Sequence, residues 1–99
     1  MELIPQEIKE QIPKLYETED SKDPIVYVKL FLDSFTWYIT EISIDDDICF
    51  GYVESSFGSE LGYFSLKEIH GEVKGSLGTK VERDLYFTPT PLYKIKKAS

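Results

Sequence analysis

I-V-Y-V-K-L-F-L-D-S-F-T-W-Y-I-T-E-I, running from Ile25 to Ile42, decides the fold. Side chains on a strand alternate between faces, so a period of two is the mark of a sheet. Val26, Val28, Leu30 and Leu32 fall in one phase, and Tyr27, Lys29 and Phe31 in the other. After Asp33-Ser34 the alternation resumes, with Phe35, Trp37 and Ile39 set against Thr36, Tyr38 and Thr40. Strands this close must pair antiparallel, because a parallel return needs a crossover of about a dozen residues.

The pattern continues downstream. Ile48 to Glu54 is a third strand, with Ile48, Phe50 and Tyr52 in one phase. Ser55 to Glu60 turns the chain, Gly58 being suited to positive φ, and Leu61 to Phe64 is a short fourth strand. Ser65-Leu66-Lys67-Glu68 has capping-box spacing and predicts a short helix. Its Leu66 and Ile69 point at the sheet, His70 lies in its last turn, and Gly71 stops it. Gly71 to Gly78 is a flexible connection, and Val81 to Thr88 reads as a last strand. Pro89-Thr90-Pro91 leaves the sheet, since proline cannot donate to a central ladder. Lys94 to Ser99 reads as a frayed basic tail. Upstream, Ile4-Pro5-Gln6-Glu7 opens a short helix carrying Ile8 and Ile12, ended by Pro13. Tyr16 to Asp23 is a polar, acidic connection.

The expected class is α+β. It is a mainly antiparallel meander of four to five strands, with an N-terminal helix and one short helix after the fourth strand. Residues 1–93 make a single domain, as 99 residues allow.

Composition narrows the function classes. The net charge of −7 argues against duplex DNA, which demands clustered Lys or Arg. It permits a basic protein partner, a cation or imitation of a nucleic-acid backbone, and it favours a solvated surface that keeps the chain soluble. Cys49 is alone, so neither an internal disulfide nor a cysteine zinc site is expected. No apolar run approaches the length of a membrane span and no signal peptide is evident, so the expected location is the cytoplasm. No phosphate-loop, G-x-S-x-G or H-E-x-x-H pattern occurs, and no cofactor is expected.

Arg83 stands out as the only arginine, in V-E-R-D-L-Y-F-T-P-T-P from Val81 to Pro91. A guanidinium offers a fixed fork of donors. One reading pairs it with Glu41 and locks the last strand onto the sheet. The other makes it an anion contact, with Lys29, Trp37, Tyr38 and Tyr86 as neighbours for a ring or phosphate. Asp45, Asp46 and Asp47 form a hairpin tip unsuited to a metal cage, since successive aspartates cannot all point inward. The same run could attract a basic partner. Gly51 and Gly62 each precede a tyrosine in a strand, which marks either a close backbone approach or a gap covered by an aromatic ring.

The ordered set I-P-Q-E-I, I-P-K-L-Y-E-T-E, D-P-I-V-Y-V-K-L-F, T-W-Y-I-T-E, F-G-Y-V, E-L-G-Y-F-S-L-K-E-I and V-E-R-D-L-Y-F-T-P-T-P-L resembles domain of unknown function 2958, from Leu3 to Leu92. The turn between the first two strands is shorter than the family often has. The resemblance implies a small bacterial protein of the kind carried by plasmids, conjugative elements and phages. It implies an accessory role there, countering host defence being one form of it. The expected function is therefore non-enzymatic binding of a host component. The favoured partner is a host protein, met by the aromatic sheet face and the acidic loops. One alternative is sequestration of a nucleotide-type small-molecule signal near Arg83, and a weaker one is a small hydrolase using carboxylates. A Tyr-rich sheet with one uncovered face also suits a homodimer or higher oligomer.

Overall fold

A computed structural model describes residues 3–18, 20–71 and 80–98. The protein is α+β. The elements are α1 (Gln6–Lys9), β1 (Ile25–Val26), β2 (Val28–Leu32), β3 (Phe35–Ile42), β4 (Ile48–Ser55), β5 (Gly58–Ser65), α2 (Leu66–Gly71), β6 (Glu82–Arg83), β7 (Thr90–Pro91) and α3 (Leu92–Ala98). Five strands form an antiparallel sheet in the order β5-β4-β3-β2-β6, and β1 pairs with β7 in a separate two-stranded ribbon.

Register follows from the turns. Asp33 takes a φ of 51° between β2 and β3, a conformation that aspartate tolerates in turns. Leu32 is thereby set opposite Phe35, Leu30 opposite Trp37 and Val28 opposite Ile39. One face carries these residues together with Ile42 and Cys49, and packs against Ile4, Ile12, Leu66, Ile69 and Val81. Ser65 caps α2 by accepting the Glu68 amide at 3.3 Å, which turns Leu66 and Ile69 onto the sheet.

A bulge in β3 keeps this core dry. Strict alternation from Trp37 and Ile39 would send Glu41 into the apolar layer and Ile42 out of it. The register shifts between Ile39 and Glu41, so Glu41 lies opposite Phe50 and Ile42 opposite Cys49. The extra residue is Thr40, whose buried hydroxyl donates to the Phe50 carbonyl at 3.0 Å. Gly51 is required beside it, because a Cβ there would sit 1.8 Å from the Tyr38 carbonyl oxygen. Gly62, directly opposite Gly51, has open space where its Cβ would be.

Four expectations change. The strand expected from Ile25 to Leu32 breaks at Tyr27, because β1 pairs with β7 whereas β2 pairs with β3. Val26 consequently joins a second cluster, with Tyr38 and Leu92, on the opposite face from Val28. The strand expected from Val81 to Thr88 pairs only at Glu82 and Arg83. Beyond them the Asp84 carboxylate accepts the Tyr86 amide at 2.9 Å and turns the chain. From Leu92, where a frayed tail was expected beyond residue 93, the chain forms α3. Asp23 accepts the Tyr93 amide at 2.9 Å and the Pro24 carbonyl accepts that of Leu92, satisfying donors at the start of α3. The fourth strand is longer than read, beginning at Gly58, where φ is 133°. The connection read as flexible lies outside the described residues from 72 to 79.

Candidate functional site

Two grooves lie on the face opposite the main core. The first, of about 480 Å³, is at the β6 edge and is lined by Lys29, Phe31, Thr36, Arg83, Asp84 and Tyr86 among others. Lys29 and Tyr86 therefore do come together; Arg83 borders the groove, but it lies opposite core-facing Leu30 and its guanidinium reaches Leu3 on the core side. Tyr38 lies behind them, buried, with the Lys29 ammonium 5.9 Å from its ring centroid. Burial and then the neighbouring Glu54 carboxylate push the Tyr38 phenol up to about 12. Trp37 is elsewhere: it is buried in the main core and stacks on Phe35 at 5.8 Å. Alternation across β3 put it there, since Trp37 and Tyr38 are adjacent and must face opposite ways.

The cations of this groove are engaged. Lys29 lies 4.0 Å from the Asp84 carboxylate. Arg83 donates from Nε to the Leu3 carbonyl at 3.1 Å and so ties β6 to the N-terminal segment. It makes no pair with Glu41, because Arg83 lies opposite Leu30 on an edge strand whereas Glu41 accepts its hydrogen bonds from residues 16 and 18. The structural reading of Arg83 keeps its role but changes its partner.

Asp45, Asp46 and Asp47 sit apart, in the β3–β4 loop. Asp45 accepts the Ser43 hydroxyl, which lowers its carboxyl below the usual range. Asp46 takes a φ of 59° and lies 3.9 Å from the Lys14 ammonium. Asp47 accepts the Ser65 hydroxyl and the Lys67 amide, each at 2.9 Å, and thereby anchors the start of α2. This last aspartate is a clasp between loop and helix.

The second groove, of about 330 Å³, was not legible in the sequence. Its walls are Tyr16, Phe50, Leu61 and Tyr63, Glu41 lies at its floor, and Lys22 and Lys96 also line it. The β3 bulge turns Glu41 to this face. There the carboxylate accepts the amide of Tyr16 at 2.9 Å, the amide of Thr18 at 2.8 Å, and the Thr18 hydroxyl. These donors satisfy a carboxylate that is only 4% exposed. They also hold Tyr16 at a φ of 73°, a conformation that costs energy for a non-glycine residue. Its ring consequently stands over the sheet edge, 6.4 Å from that of Tyr63, which in turn lies 4.8 Å from Phe50. The available signal was the phase break in β3, where an acid takes the position that alternation assigns to the core.

Among the described residues no group of three or more His, Cys, Asp or Glu side chains is placed to hold a metal. No described helix is long and apolar enough to cross a membrane. Cys49 is buried, and burial pushes its thiol up to about 12, well away from the range of a nucleophile.

No curated protein and no solved structure matches the chain. A family model does, described as "Protein of unknown function (DUF2958)", over residues 3–95, and the chain belongs to that family.

Proposed function

We propose that the chain is a non-enzymatic accessory protein that binds a host protein, seating an apolar segment of it in the groove walled by Tyr16, Phe50, Leu61 and Tyr63. The carrying observation is the exposure of Tyr16 and Tyr63, 61% and 56%, with Tyr16 kept in a strained backbone conformation. Strain of this kind persists only where the surroundings enforce it, and here the Glu41 carboxylate does so. Aromatic side chains presented on a rigid frame are the usual anchors of protein interfaces. The mobile-element or phage setting rests on the family resemblance.

The acidic loop supports the reading less than the groove does, since Asp46 and Asp47 already have partners within the chain. The nucleotide-type alternative near Arg83 is weakened likewise, because an anion would compete with Asp84 for Lys29. Affinity capture from host extract tests the choice. Wild type and Arg83→Ala should retain the same host protein, and Tyr16→Ala with Tyr63→Ala should lose it. Retention by the tyrosine variant but not by Arg83→Ala would overturn the reading. A melting temperature that rises with an added nucleotide would favour the alternative.

A further inference from the structure

The charges that line the aromatic groove run against those of the chain as a whole. The chain carries 18 acids against 11 bases, a net charge of −7. Among the described residues, the charged side chains lining the groove are Glu41, Lys22 and Lys96. Glu41 is buried and serves the fold, its oxygens taken by the amides of Tyr16 and Thr18 and by the Thr18 hydroxyl. Asp23, beside Lys22 in the chain, accepts the Tyr93 amide at 2.9 Å. Glu60 alternates with Leu61 and lines a different groove, with Phe35 and Val53. Glu17 and Asp20 are exposed but do not line the aromatic groove. The lining charge left for an occupant to meet is cationic. The two lysines share one rim. Lys22 closely precedes Pro24, Lys96 follows Leu92 by one helical turn, and the Leu92 amide donates to the Pro24 carbonyl at 2.9 Å. No carboxylate among the described residues pairs with Lys22. Lys96 is engaged, its ammonium 5.2 Å from the Tyr52 ring centroid, but an ammonium has three donors and can serve a further acceptor.

We propose that the segment seated in this groove is acidic: an apolar or aromatic anchor lies against Phe50, Leu61 and Tyr63, and carboxylates beside it meet Lys22 and Lys96. The inference rests on the groove being the binding site, and it names the chemistry of what binds there. It reverses what the net charge suggests, since an acidic chain should attract a basic partner. Charges separated by more than a screening length of about 8 Å act weakly at physiological salt, so the groove's own lining decides the preference at contact. The groove holds about 330 Å³, room for a single large side chain rather than an extended apolar stretch. An anchor of that size brings the neighbouring residues of its own chain to the rim, where the lysines stand. The rest of α3 adds to the same sign, with Lys94 and Lys97 and no acid.

Titration calorimetry with three end-capped synthetic peptides, E-D-W-L-D-E, K-K-W-L-K-K and E-D-A-A-D-E, tests the proposal. The first should bind, and added salt should weaken it. The second, which net charge alone would favour, should bind about tenfold more weakly or not at all. The third lacks the anchor and should not bind. Lys22→Glu with Lys96→Glu should lower the affinity for the first peptide about tenfold or more, because two attractions become repulsions. Lys22→Glu alone should move it in the same direction, and it touches no contact within the described fold. Thermal melting confirms that both variants fold. A preference for the basic peptide, no binding of the acidic one, or indifference to both lysine changes would sink the proposal. Binding that persists in Tyr16→Ala with Tyr63→Ala would instead overturn the groove as the binding site, so the two failures are distinguishable.

Discussion

The carboxylate of Glu41 on β3 accepts the backbone N–H of Thr18, 23 residues earlier, at 2.8 Å. With the Tyr16 amide and Thr18 hydroxyl on the same group, one side chain fixes the conformation of the groove's outer wall. Glu41→Ala strands these donors beneath the loop. It should cost about 3 kcal/mol in urea denaturation, in line with hydrogen bonds to charged groups. Glu41→Gln retains one acceptor oxygen and should lose only about 1 kcal/mol.

The paired glycines give a sharp contrast. Gly51→Ala drives a methyl into the Tyr38 carbonyl, a backbone atom of the central strand that cannot step aside. The loss should be about 3 kcal/mol or more. Gly62→Ala meets nothing and reduces the freedom of the unfolded chain, so it should be neutral or stabilise by about 0.5 kcal/mol. Two thermal melts decide the matter, and equal effects would contradict the register.

Alkaline pH should destabilise the fold over a defined window. Tyr38 is raised from 10.0 to about 12 by burial and by Glu54, and Cys49 from 9.0 to about 12 by burial. Below pH 9 both groups hold their protons in folded and unfolded chains alike. Between there and pH 12 the unfolded chain releases them first, so stability falls as pH rises. A flat unfolding free energy across that range would refute this. Thiol labelling of Cys49 should likewise be slow in the native protein and fast in denaturant.

Within the acidic loop, Asp47 and Asp45 should part company. Asp47→Ala frees the Lys67 amide and the Ser65 hydroxyl at the start of α2, and should cost about 1 kcal/mol. Asp45→Asn removes an exposed charge whose partner is the nearby Ser43, and the melting temperature should hardly move.

Arg83→Ala removes the tie between β6 and Leu3, with an expected cost of about 1 kcal/mol. Capture of the host partner should survive it. Loss of capture at unchanged stability would return Arg83 to the binding site.

The sequence was most readable where local chemistry sets the outcome. Phe35 to Ile42 kept the expected bounds, and Ser65 capped α2, because alternation and capping depend on near neighbours. The break at Tyr27 was hidden, since it is imposed by Thr90 and Pro91 from the far end of the chain. The helix from Leu92 was hidden as well, since the apolar cluster that Leu92 and Ile95 join includes Val26 and Tyr38 from distant segments. Pocket prediction failed at Trp37 for a plainer reason: period two forbids neighbours on one strand from sharing a face.

The β1–β7 ribbon has a kinetic consequence. The meander from β2 to β5 is joined by short turns, so its contacts are local and quick to form. The ribbon instead joins the strands farthest apart in sequence with only the pairs Ile25↔Pro91 and Val26↔Thr90. A latch so small opens at far lower free energy than the sheet it rests on, and its amides should exchange with solvent well ahead of those in β3. Pro24 and Leu92, which flank that latch, also line the aromatic groove. The groove thus has a sheet side held by the longest ladders of the fold and a side closed by two residue pairs, and that second side is the one expected to open first.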